Sequence, residues 1–428
     1  MLSSSAMASR LEPPKQPVEF EFDGEAITAE RGEPLAFALI AADRLALSRS
    51  PKLHRPHGPY CLRGGCDGCI LRVNGEPNVL TCLRACQGGE RAETQNVLGS
   101  RKMDLMRVTD WFFPQGIDHH HFLAGVPAAS FVVQKVARHV AGLGRLPDDP
   151  RGPGAARREE ADVLIVGAGP AGLTVALLLA SSTPALRIIV ADDGVAPGGS
   201  LRARGMPVPD PASVQLYRAT AAAGIYDQEV LLIGEEAILV KPRALVLATG
   251  VHDAIAPFAG NDLPGVVSAR AAALLAHHGI LIGRKVAILG AGPYADAFLT
   301  RMRGRIEAIT VPEGVAIAVE GRARVTSVAI RDPASRSQAR RSRASRRTDV
   351  DAVLVEVAGA PSFELAEQAG ARIVFDPTRG GYLPETDPCG RAVDSVWCAG
   401  ELAGTGPSLE VIRSQAQTVG SDVRRFFS

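Results

Sequence analysis

The chain has 428 residues, with 47 Lys and Arg against 46 Asp and Glu, so its formal net charge is only +1. That balance excludes an evident partnership with nucleic acid or an anionic membrane surface, and the length gives two or three domains with ample material for their cores. Aromatic residues make up 5 % of a chain rich in Gly, Ala and Arg, which suits an α/β architecture. Seven cysteines in so long a chain do not make a disulfide framework, and four of them crowd between Cys61 and Cys82, which points to a metal. Met1 to Gln16 carry no apolar signal core, so the chain is expected to stay in a reducing cytoplasm, without a transmembrane segment.

In chain order, residues 1–17 are Pro-rich and expected to be disordered, and residues 18–100 form the first domain. Val18 to Phe22 and Glu25 to Ala29 alternate apolar and polar residues around Asp23-Gly24, a hairpin signal. Leu35 to Leu47 carries apolar residues at helical spacing, and Ile70 to Val73 leads into a second hairpin turn at Asn74-Gly75. Strand pairs around one helix fit a β-grasp, ferredoxin-like module. The loop before the second hairpin runs Tyr60-Cys61-Leu62-Arg63-Gly64-Gly65-Cys66-Asp67-Gly68-Cys69, and Cys82 follows the hairpin. A C-x4-C-x2-C run with one later Cys is the spacing of a plant-type [2Fe–2S] site. Gly64, Gly65 and Gly68 are expected to allow the unusual backbone that aims N–H groups at the sulfurs. Structural zinc is the alternative, but zinc sites usually pair two short knuckles, whereas here three ligands share one loop. Cys86 is a substitute for Cys82 or, on the preferred reading, a bystander. The interval before Cys82 is shorter than in plant ferredoxins and closer to the iron–sulfur subunit of succinate dehydrogenase.

Residues 101–160 form a connector. It contains Trp111-Phe112-Phe113-Pro114, the row His119-His120-His121 and a helix expected from Phe131 to Val140. Adjacent histidines point in different directions and do not share one ion, so a packed or interface loop is the better reading. Pro147 to Glu160 reads as a linker.

Residues 161–428 are organised around Asp162-Val163-Leu164-Ile165-Val166 and the turn Gly167-Ala168-Gly169-Pro170-Ala171-Gly172, with an apolar helix from Leu173 to Ala180. Strand, glycine turn and helix in this order are the dinucleotide-binding fingerprint. Gly167 makes the tight turn, Gly169 admits a pyrophosphate to bare backbone, and Gly172 lets helix and strand pack closely. The pyrophosphate then meets the free N–H groups and positive dipole end of the helix. A strand from Arg187 ends at Asp192, where a ribose-binding carboxylate is expected, with Asp193 the close alternative. A transmembrane reading of Val163 to Ala180 is set aside, because the glycines and Pro170 fall where a turn is needed. FAD and NAD present the same pyrophosphate and ribose, and the choice between them stays open.

Pro197-Gly198-Gly199 would bring backbone close to the cofactor, and Ala244 to Leu247 is another buried strand ending at Ala248-Thr249-Gly250. A second Rossmann-like start lies at Lys285 to Leu289 with Gly290-Ala291-Gly292-Pro293-Tyr294-Ala295, in a subdomain spanning about residues 284–360. Ala295 replaces the third glycine, so a second nucleotide site and a vestigial element both remain open. Arg331 to Arg347 reads as a solvated hairpin tip. Val396 to Gly404 resembles a last flavin-contact motif, in which Gly400 and Glu401 approach the cofactor, with Glu401 standing where Asp is usual. No C-x-x-C accompanies either glycine turn, so disulfide reduction is not expected. The fold class is thus α/β, a [2Fe–2S] ferredoxin-like domain followed by a shortened two-dinucleotide, glutathione reductase-like Rossmann fold. Ser200 to Lys241 is shorter than the insertion many such flavoproteins carry, so part of the usual substrate-side wall is expected to be missing.

The cluster loop, Asp110-Trp111-Phe112-Phe113-Pro114, the GAGPAG turn, Pro197-Gly198-Gly199, Ala248-Thr249-Gly250-Val251-His252 and Phe258-Ala259-Gly260-Asn261-Asp262-Leu263-Pro264-Gly265-Val266 together resemble the alpha subunits of heteromeric sarcosine oxidase. They also resemble the related opine oxidases, hydrogen cyanide synthase and dye-linked proline dehydrogenases. The resemblance covers nearly the whole chain. Against that resemblance, the chain is expected to lack the C-terminal aminomethyltransferase-like domain of sarcosine oxidase alpha, and to keep the cluster cysteines, as the opine oxidase and cyanide synthase relatives do, in a fusion of a small ferredoxin-like subunit to the nucleotide subunit. The resemblance implies a hetero-oligomer with a beta subunit similar to D-amino acid oxidase, which holds FAD and oxidises an amine. It implies an FMN near the subunit boundary and an alpha chain that relays electrons. Cys61, Cys66, Cys69 and Cys82 would then hold the cluster, and Gly167, Gly169, Gly172, Asp192 and Gly250 the dinucleotide.

Three functions compete: this alpha subunit of an amine or amino-acid oxidase or dehydrogenase, a self-contained NAD(P)H-dependent FAD and [2Fe–2S] reductase, and a non-catalytic scaffold for a partner.

Overall fold

The computed structural model describes residues 7–50, 54–95, 97, 99–101, 103–108, 111, 146–147, 154–312, 314–315, 317–331 and 345–428. The chain divides into two compact units, each built from separated segments: residues 1–151, 255–291 and 299–356 in the first, and 152–254, 292–298 and 357–428 in the second. The aromatic and histidine motifs of the connector, with the helix expected from Phe131, lie outside the described residues apart from Trp111, which is exposed.

The first unit opens with a five-stranded sheet, ordered Glu25–Glu30, Pro17–Phe22, Arg91–Glu93, Ile70–Val73, Glu76–Leu80. Both expected hairpins form, with Phe20 opposite Ile27 and Leu71 opposite Val79. Their turns have φ of 50° and 82° at Asp23 and Gly24, and of 50° and 81° at Asn74 and Gly75. Two left-handed central residues are what a two-residue hairpin with right-handed strand twist demands. Phe20, Phe22, Ile27 and Ala29 are buried, as are Leu35, Ala36, Leu39 and Ile40 of the helix that packs on the strand Glu25–Glu30. That helix spans only Leu35–Ala41. It stops because Asp43 takes φ 60°, so Leu45 and Leu47, expected to extend it, are buried as non-helical chain.

Residues 8–17 depart from the expected disorder. Ser9–Arg10 pairs antiparallel with Ile280–Leu281, and Ala8 is buried, its amide donating to Asp43 at 3.0 Å. The second element of this unit is a parallel sheet of four strands, ordered Val266–Ser268, Ala352–Val355, Lys285–Leu289, Glu307–Val311. Val325–Arg331 and Ser345–Asp349 pair antiparallel, so the Arg- and Ser-rich run does return as a hairpin, with residues 332–344 outside the described ones.

The second unit is an eight-stranded sheet. Its parallel part runs Gln215–Tyr217, Ile188–Ala191, Arg157–Val166, Ala237–Leu247, Val396–Cys398. Successive residues of the central strand feed opposite cores: Val163 and Ile165 pack with the helices Pro170–Ser182 and Leu409–Phe426, while Leu164 and Val166 pack with Val230, Leu232 and Leu402. A strand covered on both faces reads as a continuous apolar run, which is why Val163 to Val166 is recognisable. The strand nevertheless begins at Arg157, inside the expected linker. Its charged start pairs with Ile238 to Lys241, and Glu159 is buried among Arg157, Gln215 and Tyr217 at 2.8–3.0 Å and Arg187. Residues 215–233 supply three short strands in place of a longer insertion. Among the described residues no helix is long and apolar enough to cross a membrane.

Candidate functional site

In the first unit the loop at Cys61 is held by packing that leaves no room for side chains. A Cβ on Gly68 would lie 1.9 Å from the Gly58 carbonyl oxygen, so Gly68 serves close approach rather than unusual handedness. Only Gly64 of the three loop glycines has a positive φ, 82°, and Leu62 joins it at 52°. The Gly64 N–H donates to Cys82 Sγ at 3.3 Å, which is one of the N–H to sulfur contacts expected there. Thr81 Oγ1 donates to the Cys69 carbonyl at 2.6 Å and ties the loop to the strand before Cys82.

The four sulfurs fall into two pairs. Cys61 Sγ and Cys66 Sγ stand 3.4 Å apart, and Cys69 is hydrogen-bonded to Cys82. Two thiolates for each of two irons is the arrangement that a binuclear cluster needs, and the residues fit that group. The Cys66 thiol is held down to about 5, chiefly by the Cys61 thiol, with burial opposing and smaller contributions from backbone hydrogen bonds assisting. Sharing a proton drives Cys69 down and Cys82 up. Cys86 turns elsewhere, to the Glu90 carboxylate at 3.4 Å, and burial pushes it up to about 12.

In the second unit the expected nucleotide residues do come together. Gly167 has φ 104°, and a Cβ there would stand 2.4 Å from the Ala248 carbonyl oxygen; one on Gly172 would stand 1.8 Å from the Gly167 carbonyl oxygen. Gly169, by contrast, faces open space, with nothing within 4 Å of the Cβ position. It is the N-cap of the helix Pro170–Ser182, with Pro170 in the first turn. Tight packing on both sides of one bare glycine is the shape that a pyrophosphate at a helix N-terminus requires.

The surrounding motifs close on this turn. Gly198 has φ 116° and donates its N–H to the Ala168 carbonyl at 2.8 Å; Gly199 approaches Gly169 so that a Cβ would meet its Cα at 3.2 Å. Gly400 has φ 73°, and a Cβ there would press to 2.7 Å on Ala171. Gln415, which the sequence reading missed, accepts the Gly400 N–H at 2.8 Å and donates to the Cys398 carbonyl at 3.1 Å. Thr249 Oγ1 donates to the Ser362 carbonyl at 2.9 Å, and the Ser362 N–H donates to the Gly250 carbonyl at 3.0 Å. Asp192 accepts the Ala168 N–H at 2.6 Å and the Gly194 N–H at 2.9 Å. Its carboxylate thus stands at the turn, half-buried, whereas Asp193 is exposed. Glu401 is half-buried in the short 3-10 turn Gly400–Ala403.

At the second glycine turn, Gly290 has φ 89° and a Cβ would lie 2.0 Å from the Glu356 carbonyl oxygen. This repeats the tight turn of Gly167.

Comparison with known proteins bears on both units. Residues 15–97 match the 2Fe-2S iron-sulfur cluster binding domain family, and residues 156–258 match the Thi4 family. The sarcosine oxidase alpha subunit of Rhizobium meliloti (strain 1021) is 30 % identical over 315 residues, covering 64 % of this chain and 32 % of that protein. One subunit of the opine oxidase of Agrobacterium tumefaciens (strain Ach5) is 23 % identical over 310 residues, covering 57 % and 61 %. The chain therefore spans between about a third and three fifths of the length of these relatives. Among solved structures, L-proline dehydrogenase from P. horikoshii superposes with a TM-score of 0.72 at 22 % identity, covering 98 % of this chain and 75 % of that one, which establishes the shared fold. Over 64 % of its length the chain is thus similar to a sarcosine oxidase alpha subunit, with a match to a 2Fe-2S binding domain over residues 15–97 and a Rossmann-type α/β fold after it.

Proposed function

We propose that the chain is an oxidoreductase subunit, the electron-transfer alpha subunit of a flavin-dependent oxidase or dehydrogenase that takes an amine or amino acid of the sarcosine, opine or proline type. The observation that carries this reading is the two-plus-two pairing of Cys61 with Cys66 and of Cys69 with Cys82, in a chain that also carries the Gly167 turn. Those four cysteines would hold a [2Fe–2S] cluster. Gly167, Gly169, Pro170, Ala171 and Gly172 would cradle the pyrophosphate of FAD or NAD. Asp192, with Asp193 beside it, would take the ribose, while Gly198, Gly199, Thr249, Gly250, Gly400 and Glu401 line the approach. When bound, the cluster supplies one-electron transfer and a flavin supplies two-electron chemistry. The chain's own part is to keep four thiolates paired in a buried loop and to offer bare backbone N–H groups at a helix N-terminus.

The division into a cluster domain over residues 18–100 and a nucleotide domain over 161–428 belongs to the same proposal. So does a partner: a FAD-containing beta subunit similar to D-amino acid oxidase, with an FMN at the boundary, in a hetero-oligomer. Both oxidase relatives carry names that make each of them one subunit of a larger enzyme, which supports a multi-chain assembly.

The test is to express the chain with and without a candidate beta subunit, take visible and electron paramagnetic resonance spectra of the reduced protein, and identify extracted cofactors. Co-purification with a flavoprotein and amine-dependent reduction of the cluster signal are expected. Amine oxidation by this chain alone would overturn the proposal. A second reading, the self-contained NAD(P)H-dependent reductase, is favoured by the tight turn at Gly290; rapid bleaching of a bound flavin by NADH in the isolated chain would select it.

A further inference from the structure

One polar group beside the first glycine turn is used by nothing so far. Arg204 caps the end of the short helix Ser200–Ala203, and its backbone N–H donates to the Ser200 carbonyl at 3.1 Å. Ser200 and Arg204 therefore stand one turn apart on the same face. The guanidinium carbon lies 4.8 Å from the centroid of the Tyr294 ring, a cation–π contact that holds the group against an aromatic face. Its Nε and Nη2 are both buried and have no hydrogen-bond partner among the described residues. These two nitrogens form one edge of the fork, the edge that grips two oxygens of a carboxylate or phosphate side by side. Ser200, only 7 % exposed, buries a hydroxyl oxygen that also lacks a partner among the described residues.

Burying donors of this strength without acceptors is costly, and three such atoms on one face are difficult to account for by packing alone. Their place is fixed by Gly199, whose φ of 47° and close approach to Gly169 set Ser200 directly after the contact with the nucleotide turn.

We propose that Ser200 and Arg204 form a second oxyanion site, separate from the pyrophosphate cradle, which takes the phosphate or carboxylate end of a small ligand. That this ligand lies beside a dinucleotide rests on the reading of the Gly167 turn given above; the oxyanion site itself does not. Tyr294 positions the guanidinium, Arg204 Nε and Nη2 donate to two oxygens, and Ser200 Oγ donates to the same anion.

The test is equilibrium dialysis of the purified full-length chain against radiolabelled inorganic phosphate and, separately, acetate, with bound nucleotide quantified in parallel. Saturable binding of one ion by the wild type is expected, and which ion binds identifies the ligand's anionic end. Arg204→Lys keeps the charge and the stem but loses the side-by-side edge, so it should weaken binding by at least about tenfold. Ser200→Ala should weaken it by a few-fold, and both variants should keep the wild-type nucleotide content. Equal binding by wild type and both variants overturns the proposal, as does the absence of saturable binding by the wild type below ~10 mM, a Kd that corresponds to about 3 kcal/mol. If the wild type binds the ion but holds no nucleotide, the nucleotide reading fails and the oxyanion site stands.

Discussion

Two glycines three residues apart should respond to the same substitution in different ways. Gly172→Ala places a Cβ 1.8 Å from the Gly167 carbonyl oxygen, 3.0 Å from its carbon and 3.3 Å from Ile165 Cγ2. The first two are backbone of the turn itself, so the helix must move off the strand. Overpacking of this kind costs about 1–3 kcal/mol, and the better helical preference of Ala offsets at most about 1 kcal/mol. In a domain of this size each kcal/mol moves the melting temperature by about 2–4 °C, so a fall of several degrees is expected, together with loss of bound nucleotide. Gly169→Ala meets nothing within 4 Å and needs no forbidden φ, since Gly169 sits at −78°. Its stability cost is the N-cap preference of Gly over Ala, under about 1 kcal/mol, yet the Cβ fills the space that a pyrophosphate needs. The assay is a thermal melt of each purified variant alongside quantitation of extracted nucleotide. If Gly169→Ala retains full nucleotide, or Gly172→Ala melts with the wild type, the assignment of separate tasks to these glycines is wrong.

Cys66→Ser should abolish the visible absorption of the reconstituted cluster, while Cys86→Ser, altering a thiol bonded to Glu90, should leave the spectrum intact; equal loss in both would move the fourth ligand to Cys86. Asp192→Asn puts an amide donor where two backbone N–H groups need acceptors. A loss of about 1–2 kcal/mol in a denaturant melt and weaker nucleotide retention are expected, and an unchanged midpoint would contradict it. At Asp422 burial acts to raise the carboxyl, but hydrogen bonds from Trp397 Nε1 at 3.0 Å and Arg391 at 2.8 Å, with the Arg391 and Arg425 charges, hold it below the ordinary value. A depressed folded pKa adds stability that is fully present above the unfolded value of about 3.9 and disappears as pH falls through the folded value. Asp422→Asn should therefore flatten the acid side of the stability profile, and parallel profiles for the two proteins would refute the assignment.

What could be read from residue types was whatever backbone geometry imposes on them. Asp23-Gly24 and Asn74-Gly75 announce hairpins because few other pairs accept two left-handed residues, and the Gly167 turn is legible because each of its glycines answers a different steric demand. The end of the first helix was not legible: Asp43 takes a left-handed φ without being Gly or Asn, and Leu45 and Leu47 continue the apolar spacing after the helix has stopped. The start at Arg157 was hidden because the buried Glu159 carboxylate is paired with Arg157 and Arg187 and accepts hydrogen bonds from residues as distant as Tyr217 and Gln215. Gly68 was noticed for the wrong reason, since its partner Gly58 is brought near only by the fold. Arg204 gave no signal, because an arginine stands out only once its surroundings are known to lack an acceptor.

The loop at Cys61 is not a bead on a string. The Ser268 N–H donates to the Tyr60 carbonyl at 2.9 Å, a Cβ on Gly58 would press on Pro264 at 3.2 Å, and the Phe37 and His278 rings meet at 5.1 Å. During synthesis the cysteines leave the ribosome long before Pro264 and Ser268 exist to brace them, so early iron delivery would meet an unsupported loop. Excising the first hundred residues as a separate electron carrier would strip away the same braces, whatever the excised sheet does by itself.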